Sequence, residues 1–236
     1  MRSAVIITGS SGKLGGRIAA AMASEGFDVV LHYYSSEEKA RNAATKVERF
    51  GAKALLARAD LSTEEGCRSL IKKSFSAYRP LALINSAGTI AMKKIHESDM
   101  GEVTESIAVN ALAPLRLSML FAEEVKEGKI VNITDAAPED YRIKSFPYYM
   151  GKRSLDAVTE ACAAALAPGI SVNAIAIGPL IASRGEERYF KRYSGSLPLK
   201  KNSAVEDVID ALLFLIRSRS ITGHTIRIDG GRRLRV

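Results

Sequence analysis

Short apolar runs alternate along the chain with longer stretches in which apolar positions recur every three or four residues. Apolar runs of this length predict buried strands, and the longer spacing predicts amphipathic helices, so the order is βαβαβ from the first residues. The predicted elements are a strand over 4–7, a helix from 13, a strand over 28–33, a helix from 36, a strand over 53–58, a helix from 62, a strand over 81–84, a helix over about 101–126, a strand over 129–133, a helix through Tyr148 to about 166, a strand over 170–177, a helix over 205–217 and a strand over 225–228.

The predicted strands are apolar on both faces, which is typical of a parallel sheet covered by helices on both sides. We therefore expect an α/β fold with one Rossmann-type, doubly wound parallel sheet of seven strands. Ligands of such sheets bind at the carboxyl ends of the strands, where Asp135 is expected. The segment 179–200 lacks clear periodicity and is a candidate mobile lid over that edge. No repeat or linker is seen, so residues 1–236 are expected to form a single domain.

Two helix starts carry the S-x-x-E pattern of a capping box. Ser35 with Glu38, and Ser62 with Glu65, place a hydroxyl three residues before a carboxylate at the head of a predicted helix. We expect these serines to be the N-caps.

Composition narrows the class of protein without choosing a function. The chain has 236 residues, 47% of them hydrophobic, and a net charge of +8. The basic residues are spread out, and only the C-terminal Arg232, Arg233 and Arg235 form a dense run, which argues against a nucleic-acid-binding protein. The positive charge is still compatible with binding of an anionic ligand or of an acidic carrier protein. No leader and no membrane-length apolar run is seen, so a soluble cytoplasmic protein is expected. Cys67 and Cys162 are far apart, and neither a disulfide nor a metal site is expected.

Candidate chemistry centres on Tyr148, Lys152 and Asp135. Tyr148 and Lys152 are four residues apart on one predicted helix, so both side chains project from the same face. An ammonium beside a phenol lowers the phenol pKa from about 10 toward neutrality, which makes the phenol a usable proton donor. A Y-x-x-x-K match alone has little specificity, because a surface tyrosine near a lysine is common.

A glycine-rich turn follows the first strand. Thr8-Gly9-Ser10-Ser11-Gly12-Lys13-Leu14-Gly15 leads directly into a helix, which is the place where a pyrophosphate of a dinucleotide binds to free N–H groups. The second strand ends His32-Tyr33-Tyr34-Ser35-Ser36, without the carboxylate that would bind the ribose 2′-OH of NAD. Lys13, Ser35 and Ser36 could instead surround a 2′-phosphate, so NADP(H) is the favoured cofactor.

Together these residues resemble the short-chain dehydrogenase/reductase family, from about Ala4 to the C-terminus. The motifs are Thr8 to Gly15, Asp60-Leu61, Asn85-Ser86-Ala87-Gly88, Asn110, Tyr148 to Lys152, and Gly178-Pro179. The resemblance implies that Tyr148 donates the proton, that Lys152 binds the nicotinamide ribose and lowers the tyrosine pKa, and that Asn110 holds a water of the proton relay. The cofactor-binding residues that it and the turn chemistry imply are Thr8, Gly9, Ser11, Lys13, Leu14, Gly15, His32, Tyr33, Ser35, Ser36, Asp60, Leu61, Asn85, Ala87, Gly88, Lys152, Gly178 and Pro179.

Asp135 departs from the family pattern, which has a serine hydroxyl at this place. An ionised carboxylate only accepts hydrogen bonds and would raise the pKa of Tyr148. Either Asp135 is protonated, or the substrate presents N–H donors, as a nitrogen heterocycle does. The aspartate, Lys13 and Leu31-His32-Tyr33 are similar to the pteridine and dihydromonapterin reductases of the family. In that subgroup the C-terminal tail of a neighbouring subunit can reach the active site, and the end of this chain, Asp229 to Arg235, is similar.

Three readings of function stay open from the sequence. The first is NADPH-dependent reduction of a pterin-like ring, and the second is reduction of a 3-oxoacyl carrier-protein thioester or another carbonyl; the third is a cofactor-binding regulator without turnover. The aromatic ring on which the subgroup stacks its pterin is absent, since Thr89, Ile90 and Ala91 stand there. Phe146, Tyr189, Phe190 or Tyr193 could replace it. A homotetramer is implied by the family, and Ala161, Ala163, Ala164 and Ala165 would permit close helix approach between subunits or within one.

Overall fold

Seven parallel strands form one sheet in the computed structural model, which describes residues 2–136, 143–180 and 187–234. The strands are β1 Ala4–Ile7, β2 Asp28–Tyr33, β3 Ala54–Arg58, β4 Pro80–Asn85, β5 Gly128–Asp135, β6 Ile170–Ile177 and β7 Thr225–Ile228. Their order across the sheet is β3-β2-β1-β4-β5-β6-β7. Strands β2 and β3 are therefore added on one side of β1, and β4 to β7 on the other side. The predicted seven-stranded doubly wound sheet is confirmed, and its strand order places a ligand crevice where β1 and β4 end.

Helices cover both faces of the sheet. They are α1 Lys13–Ser24, α2 Glu37–Glu48, α3 Glu64–Ala77, α4 Met100–Ile107, α5 Ala113–Glu124, α6 Phe146–Ala165, α7 Glu187–Gly195 and α8 Val205–Arg217. Successive residues of one strand serve opposite faces: Ile7 packs with α1, α2 and α8, whereas Ile6 packs with α3, α5 and α6. Each fully buried aliphatic side chain of this kind stabilises the fold by roughly 1.5–3 kcal/mol. Burial on both faces explains why the strands are continuous apolar runs.

The long helix predicted over 101–126 contains a π-helical turn. Helix α4 and helix α5 are joined by Ala108–Leu112, in which each hydrogen bond spans one residue more than in an α-helix. The extra residue rotates the following turn, and turns of this kind are frequent at functional sites. Asn110 lies within it.

Both predicted capping boxes are wrong. Helix α3 begins at Glu64, and Thr63 is its N-cap, with the Thr63 hydroxyl accepting from Gly66 N–H at 3.0 Å. Ser62 is not available as a cap because its Oγ donates to Asp60 Oδ1 at 2.7 Å. Helix α2 begins at Glu37 after Ser36, which makes no side-chain cap hydrogen bond, so Ser35 lies one residue too early.

The segment 179–200 contains helix α7, which the sequence did not predict. Its nine residues are mainly polar, and its aromatic residues Tyr189, Phe190 and Tyr193 span little more than one turn, which is too short for a periodic pattern to be recognised. Tyr193 is nevertheless buried, and the guanidinium carbon of Arg232 lies 5.3 Å from the centre of its ring. Residues 181–186 of the proposed lid lie outside the described part of the chain, so a lid stays a prediction. Within the described ranges, no helix has both the length and the apolar character needed to cross a membrane.

Candidate active site

The carboxyl ends of the central strands surround a cavity of about 510 Å³, called here the Tyr148 cavity. Its walls come from the glycine turn after β1, the residues after β4, the end of β5, helix α6 and the segment after β6. Asn110, Asp135, Tyr148 and Lys152, the four predicted catalytic residues, all line it. The fold therefore brings together side chains that lie up to 42 positions apart, from residue 110 to residue 152.

Tyr148, Asp135 and Lys152 form a connected group in this cavity. The Tyr148 hydroxyl donates to Asp135 Oδ2 at 3.2 Å. Lys152 Nζ donates to the carbonyl of Ile133 at 3.0 Å and lies 5.8 Å from the centre of the Tyr148 ring. Helix α6 and the end of β5 thus hold a phenol between a carboxyl group and an ammonium.

Burial changes the acidity of Lys152. The side chain is only 7% exposed, and loss of hydration lowers its pKa from 10.5 to about 8. The negative charges of Asp135 and Asp156 act in the opposite direction and keep the decrease from being larger. Lys152 is therefore charged at neutral pH, and its charge is lost at a pH much lower than that of an ordinary lysine.

Asn110 is held rigidly by the π-helical turn and the loop after β4. Its Nδ2 donates to the carbonyls of Thr89 and Ser106, at 3.0 Å each, and its Oδ1 accepts from Thr89 N–H at 3.3 Å. A methyl group on Gly88 would lie 2.7 Å from Asn110 Oδ1 and 3.7 Å from Lys152 Nζ. Gly88 thus leaves the space into which the amide and the ammonium both face. The contribution of Thr89 and Ser106 was not predicted, because it depends on the rotation of the π turn.

A buried polar chain fixes helix α6 against the sheet. Asn85 Nδ2 donates to Asn132 Oδ1 at 2.8 Å, and Asn132 Nδ2 donates to the hydroxyl of Thr159 at 2.9 Å. All three side chains are buried, where paired polar groups specify one arrangement of the elements. Asn85, predicted to bind the cofactor, is thus placed under the site and joins β4, β5 and the helix that carries Tyr148 and Lys152.

The glycine turn after β1 is shaped by its neighbours. Gly9 has a φ of +67°, and a methyl group there would lie 2.7 Å from Ala87 Cα. Thr8 Oγ1 accepts from the N–H groups of Ser86 and Ala87, at 3.0 Å each, which ties the end of β1 to the end of β4.

His32 supports the same turn from β2. Its Nδ1 accepts from Gly9 N–H at 3.0 Å, and its Nε2 lies 3.1 Å from the carbonyl of Ala59. Since Nδ1 accepts, the ring proton is on Nε2 and donates to Ala59. Burial lowers the pKa of His32, which keeps the ring neutral and this tautomer in place.

Gly9→Ala is expected to destabilise the protein by about 2–4 kcal/mol, because it combines an unfavourable φ with a contact against rigid backbone. Gly26→Ala is the matched control: Gly26 has a φ of +89°, but a methyl group there would meet no atom within 4 Å. Gly26→Ala should lower the free energy of unfolding by only about 1–2 kcal/mol, which is the cost of a positive φ in a residue with a side chain. Urea unfolding of both variants measures the difference; equal losses would mean that the contact with Ala87 is unimportant.

A second cavity of about 380 Å³, called here the β2–β3 cavity, lies on the other side of the glycine turn. It is lined by eight of the predicted cofactor residues: Gly9, Ser11, His32, Ser35, Asp60, Leu61, Ala87 and Gly88. Of these, Asp60 accepts a hydrogen bond from Ser62 N–H at 3.0 Å.

Three residues predicted near a 2′-phosphate or at the end of β2 are placed differently. Lys13, the first residue of α1, lines the Tyr148 cavity and a groove between α1 and α2, but not the β2–β3 cavity. Tyr33 is buried in the sheet and lines neither cavity, since strand residues alternate between faces and His32 takes the cavity side. Ser36 precedes α2 and also lines neither.

The turn and the two cavities fit a dinucleotide. A methyl group on Gly15 would lie 2.4 Å from the Gly9 carbonyl, so glycine is needed for the close packing of the turn. Gly12, the N-cap of α1, leaves the helix N-terminus without a side-chain cap, which suits an anionic group there. Leu14, Gly178 and Pro179 line the Tyr148 cavity. Among the residues described, no group of three or more His, Cys, Asp or Glu side chains could hold a metal ion.

Comparison with known proteins gives consistent results. A family model described as enoyl-(acyl carrier protein) reductase matches residues 10–233. Pteridine reductase 1 of Leishmania tarentolae is 27% identical over 274 residues, covering 96% of this chain and 94% of the relative. The 3-oxoacyl-[acyl-carrier-protein] reductase FabG of Staphylococcus aureus is 25% identical, covering 98% of each chain. The crystal structure of FolM alternative dihydrofolate reductase 1 from Brucella canis, complexed with NADP, superposes with a TM-score of 0.91 at 29% identity, covering 98% of this chain and 94% of that one.

Proposed function

Because the chain belongs to the short-chain dehydrogenase/reductase family of oxidoreductases, we propose that it is an NADPH-dependent reductase that transfers hydride to a C=N bond of a pterin-like ring. The observation that carries this proposal is the hydrogen bond of 3.2 Å between the Tyr148 hydroxyl and Asp135 Oδ2 in the Tyr148 cavity. It puts a proton donor and a carboxyl group side by side where a serine would serve a carbonyl substrate.

The cofactor is proposed to lie along the glycine turn, with its nicotinamide in the Tyr148 cavity and its adenosine in the β2–β3 cavity. When bound, the nicotinamide supplies the hydride. Gly9 and the N-terminus of α1 bind the pyrophosphate, and Lys152 binds the nicotinamide ribose. The structures of FolM alternative dihydrofolate reductase 1 from Brucella canis and Brucella suis are complexes with NADP, which supports NADP over NAD.

Tyr148 is proposed to donate the proton that completes the reduction. The substrate nitrogen that gains an electron pair takes the hydroxyl proton of Tyr148, and the ammonium of Lys152 stabilises the phenolate that remains. Asn110, fixed next to Lys152 across Gly88, holds a water through which the phenolate is reprotonated. Positioned acids of this kind contribute typically about 10²–10⁴-fold to rate.

Asp135 is proposed to select the substrate. It is half-buried at the end of β5 and faces the cavity, where an ionised carboxylate can accept two N–H donors but cannot donate to a carbonyl oxygen. An aminopyrimidine ring, such as that of a pterin, presents adjacent N–H groups that match this acceptor. A 3-oxoacyl thioester presents none.

Phe190 is proposed as the aromatic face against which the ring stacks. Of the described aromatic candidates, Phe190 lines the Tyr148 cavity, whereas Tyr193 is buried beside Arg232 and Phe146 is outside the cavity lining. The side chain of Tyr189 lies outside the described residues. Phe190 comes from helix α7, far in sequence from the place where the pteridine reductase subgroup carries its ring.

An assay of NADPH oxidation separates the candidate functions. Dihydrobiopterin and dihydrofolate should be reduced, and an acetoacetyl thioester should be reduced at least 10²-fold less efficiently, since the thioester has no donor for Asp135. Preference for the thioester would support the second candidate, a carrier-protein reductase like the FabG relative. The observation that favours this candidate is the aliphatic Ile90 in the cavity wall, at the place where the pteridine reductase subgroup has an aromatic ring. Tight NADPH binding without turnover of any substrate would support a regulator.

Asp135→Ser is expected to lower kcat/KM for dihydrobiopterin by about 10²-fold or more, since the N–H donors of the ring would lose a charged acceptor. The same change should leave turnover of the thioester equal or higher, because serine can donate to a carbonyl. Steady-state kinetics with both substrates measures the switch, and Asp207→Asn on the exposed side of α8 is the control. An unchanged pterin rate would remove Asp135 from recognition.

Assembly as a homotetramer stays a prediction. Three of the four alanines considered for close helix approach, Ala161, Ala164 and Ala165, lie exposed on α6, and Ala163 is buried within the subunit. The exposed small residues support contact with another copy.

A further inference from the structure

The chain after β7 forms a tight turn of residues 229–234, called here the C-terminal turn. Asp229 is buried, and its carboxylate accepts from the N–H groups of Gly231 at 2.9 Å and of Arg233 at 3.4 Å. The Asp229 carbonyl accepts from Arg232 N–H at 3.1 Å. These hydrogen bonds fix the backbone from which the Arg232 side chain extends.

The C-terminal turn packs against the segment that follows helix α7. Leu199 N–H donates to the Gly230 carbonyl at 3.1 Å, and a methyl group on Gly230 would lie 2.4 Å from the Lys201 carbonyl. On the next residue, Gly231, a methyl group would lie 3.1 Å from the Pro198 ring. The C-terminal turn is therefore in direct contact with the chain shortly after α7 ends.

Arg232 extends from this turn to helix α7. It is only 7% exposed, and its guanidinium carbon lies 5.3 Å from the centre of the Tyr193 ring, which is itself buried. A cation over an aromatic face is attracted by the ring, and the attraction is strongest where water is excluded. At such a buried position it corresponds to about 30-fold in an equilibrium constant. The contact is thus strong enough to decide between two positions of α7.

Helix α7 extends from this contact to the Tyr148 cavity. Phe190 precedes Tyr193 by three positions, so the two rings lie on the same side of the helix, and Phe190 lines the cavity. Asn202 Nδ2 donates to the Phe190 carbonyl at 3.2 Å. A helix of nine residues is too short to be stable without tertiary contacts. The position of α7 therefore depends on contacts such as these two.

We propose that Arg232 is a positioning residue that holds α7 through Tyr193 and so keeps the ring of Phe190 against the substrate. The inference rests on the proposed function, in which Phe190 stacks on the pterin-like ring. Arg232 does not itself line the Tyr148 cavity, and it acts within its own subunit. Because the hydride comes from the cofactor and the proton from α6, this contact contributes to substrate binding and not to the chemical step.

Arg232→Met tests the proposal, because methionine keeps an unbranched side chain and removes the charge. The KM for dihydrobiopterin should rise by about 10-fold, since only the fraction of molecules with α7 in place would bind the ring well. The value of kcat should stay within about threefold and the Kd for NADPH within about twofold, because a uniform loss of substrate binding raises KM alone. Steady-state kinetics and titration of nicotinamide fluorescence measure these constants.

Further variants separate positioning from a general loss of structure. Arg232→Lys keeps a cation and should lower KM again by about threefold relative to Arg232→Met. Tyr193→Phe keeps the ring face and should retain the wild-type KM, whereas Tyr193→Leu should raise KM as Arg232→Met does. The double variant of Arg232→Met with Tyr193→Leu should be little worse than either, because both changes remove the same contact. Arg192→Met, which removes an exposed arginine from the same helix, is the matched control and should change neither KM nor kcat.

Amide hydrogen exchange of α7 gives a readout that needs no substrate. In Arg232→Met the amides of α7 should exchange about 10-fold faster, while those of α8 should be unchanged. Unfolding midpoints establish that the variants are folded; should Arg232→Met not fold, Tyr193→Leu removes the same contact from the other side and must give the same results.

An unchanged KM for dihydrobiopterin in folded Arg232→Met, or a loss that falls on kcat instead of KM, would overturn the proposal. If the wild-type protein reduces no pterin but α7 still exchanges faster in Arg232→Met, the substrate proposal fails and the role of Arg232 in holding α7 stands. Pterin reduction with the same KM and the same α7 exchange in Arg232→Met as in the wild type would have the opposite meaning.

Discussion

Tyr148→Phe is expected to lower kcat for NADPH-dependent reduction by about 10³-fold, the contribution of a positioned general acid. The substitution removes one oxygen, the atom that donates to Asp135 Oδ2 at 3.2 Å. It leaves the ring in place beside Lys152, so the space for the nicotinamide is unchanged. The Kd for NADPH should therefore stay within about twofold, because an uncharged hydroxyl outside the pyrophosphate site contributes little to cofactor binding. Stopped-flow measurement of a single turnover separates the chemical step from binding.

Tyr149→Phe is the matched control for this experiment. Tyr149 is the next residue of α6 and is also partly buried, but it does not line the Tyr148 cavity. It should retain wild-type kcat. A Tyr148→Phe variant with the activity of the Tyr149→Phe variant would exclude the phenol as proton donor and with it the proposed mechanism.

Lys152→Met is expected to abolish most activity and at the same time to stabilise the protein. Activity should fall by about 10²–10³-fold, because the phenolate of Tyr148 would lose its neighbouring cation. Stability should rise by about 1–3 kcal/mol at pH 7, because a side chain only 7% exposed no longer has to be buried in its charged form. Such opposite effects are typical of functional residues held in unfavourable surroundings.

The gain in stability depends on pH in a defined direction. Burial lowers the pKa of Lys152 from 10.5 to about 8, so the wild-type folded protein binds this proton less tightly than the unfolded chain does. Below about pH 8 both states carry the charge and the wild type bears the full cost of burying it. Between about pH 8 and 10.5 folding releases the proton, and the advantage of methionine shrinks as the pH rises.

Urea unfolding at pH 7 and pH 10 measures this change for Lys152→Met. Lys129→Met is the control: Lys129 also donates to a backbone carbonyl, that of Ser218 at 2.5 Å, but it is only half-buried on β5. It should show no gain at pH 7. A Lys152→Met protein that is less stable than wild type at pH 7 would mean that the hydrogen bond to Ile133 outweighs the cost of burial.

The fold was predictable because its signals are local. A strand covered on both faces is apolar at most positions, and β6, which was predicted with its observed bounds Ile170–Ile177, has six apolar residues among its eight. The group of Tyr148, Lys152 and Asp135 was predictable too, since helical spacing and a strand end determine where these side chains meet. The cavity that the Lys13 side chain lines was not predictable, because it depends on how α1 lies against the sheet.

Features that arise from contacts distant in the chain could not be predicted. Asn85 and Asn132 are 47 residues apart, and only the pairing of β4 with β5 brings their amides together. The π turn around Asn110 has no signal in the sequence, because none of its residues, Ala108–Leu112, is a glycine or a proline. Helix α7 has few apolar residues, so it depends on contacts such as that of Tyr193 with Arg232.

His32 offers a natural spectroscopic reporter of this enzyme. The chain has three histidines, and the other two, His96 and His224, are exposed. The imidazole nitrogens of His32 should consequently give one NMR signal pair that keeps the shifts of the neutral ring to a lower pH than an ordinary histidine does, because burial lowers the pKa of His32. Any ligand, solvent or substitution that loosens the backbone around Gly9 will shift that pair, so the integrity of the nucleotide cradle can be followed in solution without attaching a label.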